Sequence, residues 1–138
     1  MPKRSKGEAV QQARTLREAV LEALYEAELK GERNPGQARQ RPVFVSERIA
    51  GVLAGKAEID SILANHLIGW EVDRVTAVDL SILRLGIWEL ASKPDVPTKV
   101  ILAEATRLAD RYSTGESAKF VNGVLSAAAA KLRPSERT

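Results

Sequence analysis

The sequence contains no cysteine, a single histidine and few aromatic residues. The lack of cysteine excludes disulfides, thiolate metal sites and cysteine nucleophiles, and one histidine excludes a metal site built from several histidines. No apolar run approaches the roughly 18–20 residues that a membrane-spanning helix needs. No apolar stretch follows the basic N-terminus, as it would in a secretory signal. These absences predict a soluble, cytoplasmic protein without a cofactor.

The chain has an ordinary size and hydrophobicity but an uneven distribution of charge. Its 138 residues, 44% of them hydrophobic, predict one domain with a well-filled core. Residues 1–17 hold five cations and one glutamate, a net charge of +4, whereas residues 49–130 hold eight cations and ten acidic residues, a net charge of −2. This asymmetry is typical of a protein with a cationic face for a polyanion such as nucleic acid. A solvated basic tail would give the same composition.

The spacing of apolar residues is helical throughout, and no segment alternates with the period of a strand. Glycine, proline and asparagine divide the pattern into six helices, with a loop over residues 31–42. The predicted helices cover residues 8–30, 45–55, 59–69, 76–91 and 97–112, and a last helix opens near Ser117 and ends before Pro134. Residues 76–91 have the widest apolar arc. The pattern therefore predicts an all-α fold of six or seven helices, with residues 76–91 as the central buried helix.

Two sites that could suggest an enzyme are weak. The segment from Gly51 to Lys56 has three residues between its glycines where a phosphate-binding loop has four, and alanine follows the lysine where that loop has a hydroxyl. His66 lies beside an apolar stripe, where a lone histidine is usually a packed or surface residue. No nucleophile-elbow sequence accompanies it. The sequence predicts no catalytic activity.

Two features near the C-terminus are not explained by packing alone. Gly123 follows Asn122 inside a helical segment, although glycine there costs about 1 kcal/mol relative to alanine. A close helix crossing or backbone access for a partner would explain it. Aromatic and polar residues also surround a helix junction, where they could stack bases and donate backbone N–H groups to RNA. These residues are Tyr112, Glu116, Ser117, Lys119 and Phe120. Phe120 could equally belong to the core.

Four short motifs follow one another along the chain. They are Ala23-Leu-Tyr25 with Glu26 and Glu28; Ile82-Leu-Arg-Leu-Gly-Ile-Trp-Glu-Leu90; Asp95-Val-Pro97 with Lys99-Val100 and Glu104-Ala105; and Gly115-Glu-Ser117 followed by Phe120-Val-Asn-Gly-Val-Leu125. Each motif alone is weak. In this order and spacing, across nearly the whole chain, they specifically resemble the motifs of the bacterial NusB family of transcription antitermination factors.

The resemblance implies a single domain over residues 1–138 with about seven helices in two small bundles. Residues 1–13 would form a basic N-terminal extension and residues 131–138 a C-terminal tail. It also implies a non-enzymatic adaptor that binds boxA RNA together with NusE, a ribosomal protein. That complex helps to assemble an antitermination complex with other Nus factors on RNA polymerase, chiefly on ribosomal RNA operons.

The resemblance also implies which residues make the contacts. The RNA-binding residues would be Lys3, Arg4, Lys6, Arg14, Arg17, Tyr112, Glu116, Ser117, Phe120 and Asn122. Asp73 and Asp79 would contact the ribosomal partner. Arg84 and Glu89 could be structural ion-pair residues or contacts.

Two other functions are compatible with the residues. The chain could be a helical protein–protein module that forms a homodimer without specific RNA binding, and the family includes monomers and dimers. It could also be the RNA-targeting domain of an RNA methyltransferase. The second alternative requires a fragment, because the chain contains no glycine-rich cofactor loop.

Overall fold

Six α-helices form most of the computed structural model, which describes residues 5–31, 40–67, 69 and 71–136. The helices are α1 (Lys6–Lys30), α2 (Val43–Ala54), α3 (Lys56–Ala64), α4 (Ala77–Ser92), α5 (Thr98–Tyr112) and α6 (Gly115–Leu132). Short 3-10 turns cover Val72–Arg74 and Pro134–Glu136, and the described residues include no strand. The predicted all-α class is confirmed, with six α-helices where about seven were expected. The predicted turn at residues 34–36 lies outside the described residues.

Local side-chain chemistry sets the ends of α1. The Ser5 hydroxyl accepts a hydrogen bond from the backbone N–H of Glu8 at 3.1 Å and donates one to Oε1 of the Glu8 carboxylate at 3.1 Å. The first bond satisfies one of the backbone donors that have no partner within the helix. At the other end Gly31 adopts a left-handed conformation with φ of 69°. Glycine adopts this conformation at little cost, so the helix ends there.

The third helix is shorter than the apolar spacing predicts. It ends at Ala64 rather than near residue 69. The N–H groups of Asn65 and His66 bond to carbonyls three residues back, at Ile62 and Leu63. Bonds over three residues tighten the last turn and stop the helix. The periodicity continues to Leu67 because that side chain is buried, although its backbone is no longer helical.

Helix α4 lies at the centre of the molecule, as its wide apolar arc predicts. It contacts the five other helices, with α1, α2 and α3 grouped on one part of its surface and α5 and α6 on another. One continuous cluster of buried side chains extends through both groups. Gly86 marks a close approach of α4 to α6, because a Cβ atom there would lie 2.6 Å from Cδ1 of the buried Leu125. No helix in the described part of the chain is long and apolar enough to cross a membrane.

The C-terminal tail begins later than residue 131. Residues 131 and 132 belong to α6, and the Arg133 side chain is buried. Its guanidinium donates hydrogen bonds to the carbonyls of Leu90 and Lys93 at 2.9 and 2.7 Å. Carbonyls at the end of a helix lack partners within it, so Arg133 stabilises the C-terminus of α4. This contact places the segment against the core.

Candidate functional site

A cleft of about 410 Å³ lies between the N-terminal ends of α4 and α6. A threonine is the N-cap residue of each of these two helices. Thr76 accepts a hydrogen bond from the N–H of Asp79 at 3.3 Å, and Thr114 accepts one from the N–H of Ser117 at 3.0 Å. These caps hold the helix ends that border the cleft. The residues that line it are Arg74, Val75, Thr76, Asp79, Glu116, Ser117 and Phe120.

A hydrogen bond joins the two predicted contact sets inside this cleft. The Ser117 hydroxyl donates to Oδ2 of Asp79 at 2.8 Å, and the Ser113 hydroxyl donates to Ser117 at 2.9 Å. Asp79 is only 6% exposed, and its Oδ1 is buried without a hydrogen-bond donor among the described residues. The Ser117–Asp79 hydrogen bond therefore joins the starts of α4 and α6 at the cleft.

Phe120 belongs to both the core and the cleft. It is partly buried, packs against the hydrophobic cluster and lines the cleft. The sequence left open whether Phe120 belongs to the core or to an accessible surface. In the structure the side chain does both, since it packs against the core and lines the cleft. An aromatic side chain that the core already holds in place can stack on a base in the cleft without the entropic cost of becoming ordered on binding.

The other predicted residues at this junction are exposed. Glu116 and Lys119 lie on the surface of α6, with their charged groups 3.8 Å apart. Tyr112 ends α5 and is 37% exposed, and Asn122 is exposed. A Cβ atom at Gly123 would meet nothing within 4 Å, so a close helix crossing does not account for this glycine. The α5–α6 junction thus presents an open polar and aromatic surface.

The basic N-terminal residues divide between the surface and the core. Lys3 and Arg4 lie outside the described residues. Lys6 is exposed in the first turn of α1. The predicted N-terminal extension, residues 1–13, is helical from Lys6 onward. The Arg14 side chain is 41% exposed and reaches Glu104 on α5, with 3.2 Å between Nε and Oε2. Lys6 and Arg14 are accessible to a polyanion.

Arg17 is not part of this surface, contrary to the sequence-based assignment. It is 4% exposed, and Nη2 lies 2.9 Å from Oε2 of Glu89 on α4. Arg48 on α2 donates to the same carboxylate oxygen at 3.0 Å. Phe44 packs against this pair, with its ring centre 3.5 Å from the Arg48 guanidinium carbon. Arg17 joins α1 to α4 and has no accessible charge for RNA.

Arg84 and Glu89 are therefore structural ion-pair residues. Arg84 makes two hydrogen bonds to Asp60 and one to Glu28, each of 2.8 Å. The Arg84 hydrogen bond lowers the pKa of Glu28 below its ordinary value, against the opposing effect of burial. Glu28 and Arg84 border a larger cleft, of about 670 Å³, between α1, α2 and α4. Because its charged side chains pair with one another, we do not assign a site there.

The two predicted partner contacts have different exposures. Asp73 is exposed in the 3-10 turn before α4, whereas Asp79 is held in the cleft by Ser117. Direct contact with a partner is thus open to Asp73, while Asp79 positions the start of α6. Arg74 and Thr76, which line the cleft, were not predicted from the sequence. Their position beside Asp73, just before α4, could have indicated them.

The two weak enzyme-like features have structural explanations. Gly51 lies inside α2, and a Cβ atom there would be 2.3 Å from the Trp88 ring. Its role is helix packing, not phosphate binding. His66 follows α3, and burial lowers its pKa, with Lys131 adding to the effect. Among residues 5–31, 40–67 and 71–136, no three acidic or histidine side chains come together in a way that could hold a metal ion.

Sequence comparison identifies the relatives of this chain. The family model described as the NusB family matches residues 8–130. The chain belongs to the NusB family. It is similar to the transcription antitermination protein NusB of Listeria monocytogenes serotype 4a (strain HCC23), with 41% identity over 118 residues, 81% of this chain and 91% of that protein. Such NusB relatives are antitermination factors, in agreement with the prediction that the chain is not an enzyme.

Solved NusB structures share the fold. T. maritima NusB, in a P3121 crystal form, matches with a TM-score of 0.79 and 30% identity over 89% of this chain and 94% of that one. A second match comes from a crystal structure of the antitermination factors NusB and NusE in complex with dsRNA. Its TM-score is 0.77 and its identity 27%, over 88% of this chain and 98% of that chain. The predicted fold and family are both confirmed.

Proposed function

We propose that this NusB family protein is a transcription antitermination factor that binds boxA RNA in ribosomal RNA operon transcripts together with the ribosomal protein NusE. Through that RNA it would help to assemble an antitermination complex with other Nus factors on RNA polymerase, which places its action in the cytoplasm. Family membership and the related complex of NusB, NusE and dsRNA support this role. The observation that carries it is the cleft between α4 and α6, where Phe120 lies beside the Ser117–Asp79 hydrogen bond.

The proposed RNA surface combines electrostatic attraction with base stacking. Lys6 and Arg14 are accessible cations on α1, and the sequence places Lys3 and Arg4 just before them. Contacts to phosphates supply salt-dependent affinity but no sequence preference. Single-stranded bases are read by stacking on aromatic rings and by hydrogen bonds to their edges. On this chain the rings are Tyr112 and Phe120, and the polar groups are Glu116, Ser117 and Asn122.

The proposed NusE surface lies next to the same cleft, in the 3-10 turn before α4. Asp73 is exposed in that turn, beside the cleft residue Arg74, and would meet a basic ribosomal protein directly. Asp79, in the first turn of α4, would act through Ser117, because its own carboxylate is mostly covered. With Asp73 just before α4 and the proposed RNA-binding residues at the start of α6, the two partners would bind next to each other.

The test is a fluorescence-anisotropy titration of boxA RNA and of a scrambled RNA, with and without NusE. We expect a preference for boxA that increases when NusE is present. Phe120→Leu keeps an apolar side chain in the core but removes the ring, so boxA affinity should fall by about 1–3 kcal/mol, the value of one stacked base. Equal, weak binding to both RNAs that NusE does not change would refute the proposal. Self-association alone, measured by sedimentation, would instead favour the homodimer module.

A further inference from the structure

A row of alternating charges lies along the contact between α1 and α5. From one end to the other it contains Arg14, Glu104, Arg107, Glu18 and Arg111. Successive members lie 3.2, 3.2, 3.0 and 3.7 Å apart. Three arginines and two glutamates leave one positive charge in excess. The row joins α1 to α5 and begins and ends with an arginine.

The two end arginines are the most exposed cations of the row. The Arg14 side chain is 41% exposed and the Arg111 side chain 61%, whereas Arg107 is 23% exposed. Arg111 also has the longest ion-pair distance of the row, 3.7 Å to a Glu18 oxygen that already accepts a hydrogen bond from Arg107 at 3.0 Å. An exposed, weakly paired guanidinium retains donors for an anion.

The position of Arg111 links the two parts of the proposed RNA surface. Arg14 meets α5 at Glu104, and Arg111 lies seven residues further along α5, about 10 Å toward the α5–α6 junction. Its guanidinium carbon is 5.4 Å from the centre of the Tyr112 ring. This contact holds the charged group beside an exposed aromatic ring. A phosphate could bind Arg111 while the neighbouring base stacks on Tyr112.

We propose that Arg111 binds a phosphate of single-stranded RNA at the step between the basic start of α1 and the α4–α6 cleft. This inference rests on the proposed function, since it names a further contact for the same RNA. RNA is favoured over an acidic protein because the cation lies next to an exposed ring, a pair that matches a phosphate and a base. The row of charges thereby connects Arg14 to Tyr112 as one continuous surface.

The test compares Arg111→Gln with Lys99→Gln in the NusE-bound protein, using boxA RNA at several salt concentrations. Both residues are exposed on α5, and each substitution removes one positive charge. One lost phosphate contact on a single strand should lower the slope of log affinity against log salt by about 0.7. If Arg111→Gln and the wild type bind RNA equally at 1 M salt, this difference in slope makes the variant bind about fivefold more weakly at 0.1 M salt. Lys99→Gln should change neither quantity.

The outcomes separate the inference from the proposed function. If the wild-type protein shows no boxA preference even with NusE, the proposed function fails. If the wild type prefers boxA while Arg111→Gln keeps the wild-type slope and affinity, the inference alone fails. Circular dichroism and thermal unfolding of Arg111→Gln check that the helices are intact. An equal loss in Lys99→Gln would show a general charge effect and would also overturn the assignment.

Discussion

Arg14 and Arg17 are less than one helical turn apart on α1, yet they have different roles. Arg14 is on the surface and forms one end of the charged row, whereas Arg17 is buried against Glu89 and Arg48. The distinction follows from position on the helix, because Arg17 precedes Val20 by three residues and Leu24 by seven. Those spacings place it on the buried stripe. A long side chain can place its charge in the core only where buried groups pair with it, as the Glu89 carboxylate does here.

We therefore predict that Arg17→Ala changes stability and that Arg14→Ala changes RNA binding. Removing one partner of a buried ion pair costs about 3–5 kcal/mol. Since Arg48 still pairs with Glu89, we expect a loss near the lower end, about 3 kcal/mol, measured by urea unfolding. Arg14→Ala, which removes a partly exposed pair, should cost less than about 1 kcal/mol. Near wild-type stability in Arg17→Ala, together with a lower salt slope for RNA, would return Arg17 to the RNA surface.

At the scale of helices, two glycines on the same pair of elements have opposite roles. Gly86 on α4 allows the buried Leu125 of α6 to approach, whereas Gly123 on α6 faces open space. The sequence shows both as glycines inside helical patterns and cannot distinguish them. Only the packing partner, far away along the chain, decides which glycine serves the fold.

The substitutions Gly86→Ala and Gly123→Ala should accordingly change stability in opposite directions. An added methyl group at Gly86 collides with a fully buried side chain, so we expect a loss of about 1–3 kcal/mol. Alanine at Gly123 improves helix propensity, with a gain of up to about 1 kcal/mol. Thermal unfolding of both variants measures the two effects. A destabilised Gly123→Ala would show that this glycine is required for the fold.

The helices themselves were largely predictable, because local chemistry determines them. Apolar spacing locates all six, and side-chain caps at Ser5, Thr76 and Thr114 set where three of them begin. The end of α3 was not predictable, since Leu67 stays buried after the helix has ended. The role of Arg133 was also missed. Its partners lie about 40 residues earlier in the chain, and no local pattern reports them.

For the whole molecule, the candidate site depends on contacts that no short motif contains. The sequence indicated the residues of the α5–α6 junction and, separately, Asp73 before α4 and Asp79 in its first turn. It could not show that Ser117 and Asp79 are hydrogen-bonded across 38 positions, or that the row from Arg14 to Arg111 joins α1 to that junction. The proposed RNA and NusE surfaces meet because α4 and α6 begin on either side of the same cleft.

The proposed RNA path follows one surface from the start of α1, across α5, to the α4–α6 cleft. The most direct measurement is NMR chemical-shift mapping of the labelled, NusE-bound protein as boxA RNA is added. We predict that the amide shift changes concentrate in the first turns of α1, at Arg111 and Tyr112, and from Glu116 to Asn122, with little change in α2 and α3. Changes confined to the first turn of α1, or centred on α2 and α3, would rule out this RNA path.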